Sequence, residues 1–422
     1  MPPSCASNQS GSGGFNCLAE RPAAMPPVFK DPPVFVKSVK NGKRYLGGTG
    51  NDTFHIVHLY SATDDFYEMG YALGQLFPEE IADMFTKIEP WLERLLEKSV
   101  PWLPQWLVDI IITDGLPVAL DIIYDITAPY IPKEYIQEWE GMAAGANCSV
   151  RQIQRASLFP QASKAACTLF LSEKNATVDG GSYHLRGLDF DPTSYIADFS
   201  TLFIYHYNSK PKLANWGWVA ITGCLTCMNN VPISVSEKKG GGGSSALLPF
   251  GLPWMQMLRK SLEFDNLNDI NAFVLNVDRA NSSTPQTVGI HIGYADQRNQ
   301  SIVGYEIGYN YSHTFHWDSF TPAPTFPGWR DIVLWSKNFY PHTDCVKDMV
   351  NAQYGKINAD WMANYYSPND MTGDTQVVGM DLKGMKAYYA NSRKSTADGP
   401  LCAYYRQRTL LDMNALFNEP AP

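Results

Sequence analysis

Hydrophobic and polar positions change period partway along the chain. From Asp64 to about Lys98 the residues Phe66, Met69, Leu73, Phe77, Ile81 and Met84 recur at mixed three- and four-residue steps, which predicts helix. Just before it, "NDTFHIVHLY" (Asn51 to Tyr60) predicts a strand. Pro132 to Ala146 predicts a helix closing on Gly145, and Val150 to Phe159 a further helix leading to Cys167. Beyond Cys167 the chain turns strand-rich, in "STLFIYHY", "GWVAITG", "VPISVS", "TVGIHIGYA", "SIVGYEIGY" and "DTQVVGMDL", with a helical stretch near Trp254 to Asn276. The change is abrupt. Cys-Thr-Leu-Phe-Leu predicts a strand, Asn175 to Ser182 a turn, and Tyr183 to Phe190 the returning strand of a hairpin that Cys167 opens. This organisation predicts a Gly/Pro-rich extended tail over 1–46, a mostly helical leading segment over 47–166, and a strand-rich domain over 167–422.

Two stretches stand apart from this pattern. "VPWLPQWLVDIIITDGLPVALDIIYDITAPYIP" is apolar but broken by Pro101, Pro104, Gly115 and Pro117, so it is too interrupted to cross a bilayer. It reads either as a buried helical pair or, with Trp102 and Trp106 beside Ile110 to Ile112, as a patch that meets a membrane surface over 101–130. "KKGGGGSSALLPFG" (Lys238 to Gly251) reads as a flexible loop.

Composition narrows the class. A 422-residue chain that is 45% hydrophobic supports a large core, and a net charge of -9 with no basic stripe argues against nucleic acid as a partner. Asn-x-Ser/Thr sequons occur at Asn8, Asn51, Asn147, Asn175, Asn281, Asn299 and Asn310, more than ordinary composition supplies, which favours a secreted or lysosomal glycoprotein. The start Met1-Pro2-Pro3-Ser4 shows no signal-peptide pattern. Eight cysteines permit disulfides.

Cys167 is the residue whose position asks for chemistry. A thiol needs a lowered pKa or a nearby base to act as a nucleophile. The sequence holds no G-x-S-x-G elbow and no papain-type signature. A cut just before Cys167 would supply the base, because the freed α-amine, with an ordinary pKa of about 7.7–8.0, lies within reach of its own thiol. Ala166 leaves the scissile carbonyl open to that sulfur. The bland alternative is a buried structural cysteine.

"EWEGMAAGANCSVRQI", then "AACT", then "HLRGLDFD" at hairpin distance resembles the acid ceramidase and N-acylethanolamine acid amidase family, self-cleaving amide hydrolases with an amino-terminal cysteine nucleophile. The resemblance implies an α+β fold, a four-layer αββα sandwich of the N-terminal nucleophile hydrolase type, preceded by the helical leading segment. It also implies a zymogen cut at Ala166/Cys167 into two fragments that stay together as a heterodimer. The implied activity is hydrolysis of linear N-acyl amides of fatty acids, of ceramide or acylethanolamine type, with a lipid amide as substrate and with no cofactor and no metal. Residue by residue it implies Cys167 as nucleophile beside Thr168, Arg186 and Asp189 on the returning strand, Glu237 in "SVSEKK", and Asn338 in "LWSKNFYPH". Arg408 in "YYRQRTLLDMN" follows, with Arg406 as its rival.

The expected roles follow. Asp189 holds the liberated ammonium and shuttles a proton to the leaving amine, Arg186 keeps Asp189 ionised or orients it, and Asn338 donates to the oxyanion. Glu237 pairs with Arg186 or assists the self-cleavage. The resemblance further implies a disulfide between the fragments, here from Cys5 or Cys17 to Cys402 or Cys345. Competing readings are an acyltransferase or small-amide hydrolase of the same fold, and a non-enzymatic secreted lipid-binding glycoprotein. Cys224-Leu-Thr-Cys227 reads as a local disulfide or two buried thiols, and His313 with His316 as a poor metal site.

Overall fold

The computed structural model describes residues 24–97, 105–162, 166–190, 194–239, 250–278, 290–308, 311–319, 328–337, 339–393 and 402–422. Among these residues two sheets form. The larger has ten strands, running from an edge hairpin (Val34–Val39, Gly42–Gly47) through Phe54–Tyr60, Ser200–His206, Leu213–Trp218, Thr226–Asn229 and Ile233–Lys239 to Ile290–Asp296, Ser301–Gly308 and Tyr311–Phe315. Its strand pairs are antiparallel except Phe54–Tyr60 with Ser200–His206. The smaller has six antiparallel strands, in the order Ile332–Trp335, Ala166–Lys174, Gly180–Asp189, Gln376–Asp381, Lys386–Asn391 and Thr409–Asp412.

Alternation along the strands sorts the side chains into three apolar layers. Leu169 and Leu171 meet Leu202, Ile204 and Val333 between the sheets. Phe170 and Leu185 point outward, under helix residues Val350, Met362 and Tyr366. Phe203, Tyr205 and Val235 pack on the opposite outer face, against Phe66, Leu73, Ile123 and Trp139 of the leading helices. Helices, sheet, sheet and helices therefore stack in that order, the expected α+β sandwich.

The leading segment differs from its sequence reading in three places. Residues 34–47 are no extended tail, because they form a hairpin that extends the ten-stranded sheet. The helix predicted over 64–98 is two, Phe66–Leu76 and Pro78–Glu97, divided where Pro78 cannot supply a backbone N–H. The next predicted helix, Lys133–Ala146, does not close on Gly145. Asn147 takes the left-handed cap at φ 55°, while Gly145 faces Tyr71. Gly70, Gly74, Gly141 and Gly145 let two helices meet closely. A Cβ on any of them would fall inside the backbone of the facing helix, so the Phe66–Leu76 and Lys133–Ala146 helices touch main chain to main chain.

Of the 101–130 stretch, Gln105–Asp114 and Leu116–Thr127 are helices. Leu107, Leu116, Leu120 and Ile123 are buried, but Trp106 is 39% and Ile112 75% exposed. No helix of the described residues is long and apolar enough to cross a membrane. Most of the loop predicted after Lys238 lies outside the described residues.

Candidate active site

The hairpin that Cys167 opens is the frame of the site. Its register sets Ala166 opposite Asp189, Cys167 opposite Leu188 and Leu169 opposite Arg186. Cys167 shares the strand parity of Leu169 and Leu171, opposite to Phe170, and is fully buried in the apolar cluster that the large sheet forms with the leading helices. Arg186 and Asp189 lie three apart on the returning strand and consequently do different jobs.

The Arg186 guanidinium, also fully buried, donates from Nη2 to Cys167 Sγ at 3.4 Å and to Glu237 Oε1 at 2.6 Å. Glu237 arrives from the Ile233–Lys239 strand of the other sheet, so this ion pair bridges the two sheets at the thiol. Burial pushes the Cys167 thiol up to about 12; Arg186 pulls it back, while Glu237 and Asp189 push it further. In the intact chain the sulfur therefore rests as a thiol, and any attack by it requires a base.

Asp189 is held by four donors. Lys337 Nζ reaches Oδ1 at 2.6 Å, the backbone N–H groups of Gly373 and Asp374 reach the same oxygen at 3.0 and 3.1 Å, and Thr372 Oγ1 reaches Oδ2 at 2.9 Å. Arg186 was expected to hold or orient Asp189; in the structure Lys337 and the 372–374 turn do so, while Arg186 serves the thiol and Glu237. The turn comes this close because Gly187 has no side chain, since a Cβ there would meet Thr372 Oγ1 at 2.6 Å. Asp374 accepts from Phe190 N and from Thr375 Oγ1, both at 2.9 Å, and burial beside Asp189 pushes its carboxyl up to about 7. Lys337 is tied to the cysteine strand a second time, its backbone N–H donating to Thr168 Oγ1 at 3.1 Å. Burial alone would weaken its ammonium, but Asp189 and Asp374 hold it above the ordinary lysine range.

The remaining sequence candidates fall elsewhere. Asn338 lies outside the described residues. Arg408 is not brought to the thiol: its described hydrogen bonds end on the backbone carbonyls of Ala363, Ala403, Tyr404 and Arg406 at 2.6–3.3 Å. It braces the 403–408 turn, from which Tyr404 approaches Asp189 and Asp374. Arg406 pairs with Asp52 at 2.5 Å.

Lys337 and the 372–374 turn escaped the sequence reading. The one signal was "SKNF", which sets a lysine just before Asn338. Cys224 and Cys227 form a disulfide, Cys345 and Cys402 are disulfide-bonded, and Cys148 and Cys167 are free. The partners expected for Cys345 and Cys402, at Cys5 and Cys17, lie outside the described residues. No cluster of metal-ligating side chains occurs among the described residues.

No family model matches the chain. Among curated proteins it is similar to Protein dcd1A of Dictyostelium discoideum, 28% identical over 421 residues that span 93% of this chain and 92% of that protein. It is also similar to Protein dcd1B of the same organism, 26% identical over 424 residues, spanning 94% and 81% of the two chains. Among solved structures it is similar to a Caenorhabditis elegans N-acylethanolamine-hydrolyzing acid amidase ortholog, with a TM-score of 0.38 and 13% identity over 58% of this chain and 99% of that one. A mutant conjugated bile acid hydrolase from Clostridium perfringens gives a TM-score of 0.37 at 12% identity, over 61% and 95%. Penicillin V acylase from Agrobacterium tumefaciens gives 0.37 at 11%, over 60% and 87%.

Proposed function

We propose that this protein is an amide hydrolase whose nucleophile is Cys167, freed when the chain cuts itself between Ala166 and Cys167, and that its substrates are N-acyl amides of fatty acids. The observation that carries the reading is the buried thiol at the first turn-in of a hairpin, with Arg186 on its sulfur and a four-fold held carboxylate, Asp189, opposite Ala166.

In the first reaction Cys167 Sγ attacks the Ala166 carbonyl carbon. The new C–S bond replaces the peptide C–N bond, the thiol proton ends on the released nitrogen, and water splits the thioester to leave an Ala166 carboxylate and a free Cys167. In the second, the α-amine takes the proton from Sγ as the sulfur attacks a substrate amide carbonyl. The protonated amine then gives its proton to the leaving amine, and water resolves the acyl thioester. Arg186 stabilises charge on the sulfur in both reactions, in a buried site where a fixed cation acts strongly.

The cut fragments stay joined in this reading. Across the 166/167 boundary Arg259 pairs with Glu138, Tyr135 Oη donates to Glu263 at 2.7 Å, Lys260 Nζ reaches Glu134 at 2.9 Å, and Trp139 Nε1 donates to Thr222 Oγ1 at 3.1 Å. A secreted or lysosomal site is favoured by the disulfides and by the sequon asparagines Asn51, Asn147, Asn175 and Asn299, all exposed. Trp106 and Ile112 suit contact with a lipid surface from which such amides are drawn.

The test is the wild-type chain beside Cys167→Ala. The wild type is expected to yield a larger fragment beginning Cys-Thr-Leu-Phe and to hydrolyse long-chain acylethanolamides or ceramides; Cys167→Ala is expected to stay whole and inactive. Hydrolysis by Cys167→Ala, or a wild type that acts without a new start at position 167, refutes the reading.

A further inference from the structure

Lys337 lies where the chemistry of an amino-terminal cysteine is decided, yet the mechanism above gives it no role. We propose that Lys337 is a positioning residue of the Cys167 centre: its ammonium fills the Asp189 oxygen that would otherwise bind the liberated α-ammonium, so the new amine stays an uncharged base. The inference rests on the amide-hydrolase reading of Cys167 and deepens it.

The geometry makes the competition explicit. An ionised carboxylate offers about four lone-pair sites. Asp189 Oδ1 is taken by Lys337 Nζ, Gly373 N and Asp374 N, and Oδ2 accepts from Thr372 Oγ1. The strand register puts Asp189 opposite Ala166, so the nitrogen released from the Ala166–Cys167 bond would appear beside a carboxylate whose Oδ1 is already filled. The Lys337 main chain is fixed beside the site, its backbone N–H bonded to Thr168 Oγ1 on the cysteine strand.

The charges around the pair point the same way. From the hairpin come Cys167, Arg186 and Asp189; from the Ile233–Lys239 strand, Glu237 and Lys238; from the 367–376 stretch, Asp370 and Asp374; and from the 403–405 turn, Tyr404. Arg186 and Glu237 pair with one another, and Lys337 with Asp189, both at 2.6 Å. Asp370 accepts from Ser336 Oγ at 2.8 Å. Lys238 makes no ion pair among the described residues; burial lowers its ammonium below the ordinary lysine range, against the pull of Cys167, Glu237 and Asp189. Asp374, pushed up to about 7 by burial and Asp189, is largely neutral under mildly acid conditions. A new ammonium there meets Arg186 and Lys337, each already paired with its carboxylate, and the neutral amine is the form favoured.

Two measurements test this on the self-cleaved protein. The first is the titration of the Cys167 α-amine in the wild type, followed by amine-selective acylation of the new N-terminus against pH. It is expected about one pH unit or more below the ordinary α-amine range of about 7.7–8.0. The second is the acid limb of the kcat/KM profile for an acylethanolamide. Lys337→Met is expected to move that limb up by about one unit and to lower kcat/KM at pH 5 about tenfold, while Lys337→Arg, which keeps the charge, restores the wild-type limb. A wild-type amine that titrates at its ordinary value overturns the proposal, as does a Lys337→Met protein that cleaves and hydrolyses with an unmoved limb. If Lys337→Met does not fold, the wild-type titration decides alone. Should the wild type yield no fragment starting at Cys167, it is the amide-hydrolase reading that has failed, and this proposal with it.

Discussion

Replacing Glu237 by leucine strands the Arg186 guanidinium in the interior. The side chains of the two residues are 0% and 3% exposed, and they meet at 2.6 Å. Arg186 Nε and Nη1 already lack hydrogen-bond partners, so loss of Glu237 leaves the cation with the Cys167 sulfur at 3.4 Å. Removing one partner of such a buried pair costs about 3–5 kcal/mol. Removing both together is close to neutral, because the burial of charge disappears along with the attraction. The two single variants should also differ with pH. A guanidinium cannot shed its proton, so Glu237→Leu costs the same from pH 5 to 8, whereas the carboxyl left by Arg186→Met can take up a proton and its cost shrinks as the pH falls. Urea unfolding in a Cys167→Ala background keeps self-cleavage out of the comparison and removes the sulfur contact from the parent and every variant alike. The expected result is a loss of about 3–5 kcal/mol in Glu237→Leu, a smaller loss at pH 5 than at pH 8 in Arg186→Met, and a double variant within about 1 kcal/mol of the parent. A double variant as unstable as the sum of the singles would refute the reasoning. With Cys167 restored, the double variant is expected to fold yet stay uncut, so that stability and chemistry separate.

Two further outcomes follow from packing and from protonation. Gly141→Ala is expected to cost about 1–3 kcal/mol by urea unfolding and Gly141→Val more, since a Cβ there intrudes on the Tyr67 carbonyl; the reasoning fails if Gly141→Val is as stable as Ala144→Val, a change at an exposed position on the same helix. His58 and His206 share a hydrogen bond at 3.0 Å inside the large sheet, and burial lowers His58 to about 4. Because the unfolded chain binds that proton near pH 6.5, the stability is present above 6.5 and is lost as the pH falls toward 4, by about 2–3 kcal/mol. His58→Gln is expected to flatten this part of the stability profile, and an unchanged slope would contradict the assignment.

The Cys167 hairpin was legible because both of its local signals agree: period-two alternation on each side and turn residues between. The Val34–Gly47 hairpin was not, for a physical reason. It is an edge hairpin, Val34 and Phe35 are 67% and 54% exposed, and burial imposes no apolar alternation on it. Gly145 misled in another way, since a glycine near a helix end signals a cap, yet this one serves the close contact with the facing helix and Asn147 turns the chain. In the site, Arg186 and Asp189 lie on the strand that answers Cys167 and were visible locally. Glu237 was named as a partner for Arg186 only through the family resemblance, and Lys337 was not named at all. Glu237 is 51 residues from Arg186, and Lys337 is 148 residues from Asp189. Arg408 had the right charge and the right order along the chain, but its five donors are spent on carbonyls, a use that charge pattern alone cannot reveal.

The topology is compatible with the proposed cut: a chain severed at Ala166/Cys167 would remain one object. The leading segment is woven into the sandwich rather than appended to it. It supplies three strands at one end of the ten-stranded sheet, the innermost running parallel to Ser200–His206 over six paired residues. Its helices cover that sheet's outer face, and Arg259 of the later chain is buried between Glu138 of the earlier and Tyr205 of its own part. Separation would expose this face, break a row of backbone hydrogen bonds and strand a buried guanidinium, each a cost that no single peptide bond offsets. The proposed scission at Ala166 would therefore free only the end of a strand whose remaining residues are paired on both sides, with Gly180–Asp189 and with Ile332–Trp335. On the proposed reading the new terminus would gain a free amine and a degree of freedom, while its sulfur, Arg186 and Asp189 would keep their places. Such an arrangement would confine the consequences of the proposed cleavage to one residue, as the proposed amino-terminal nucleophile requires.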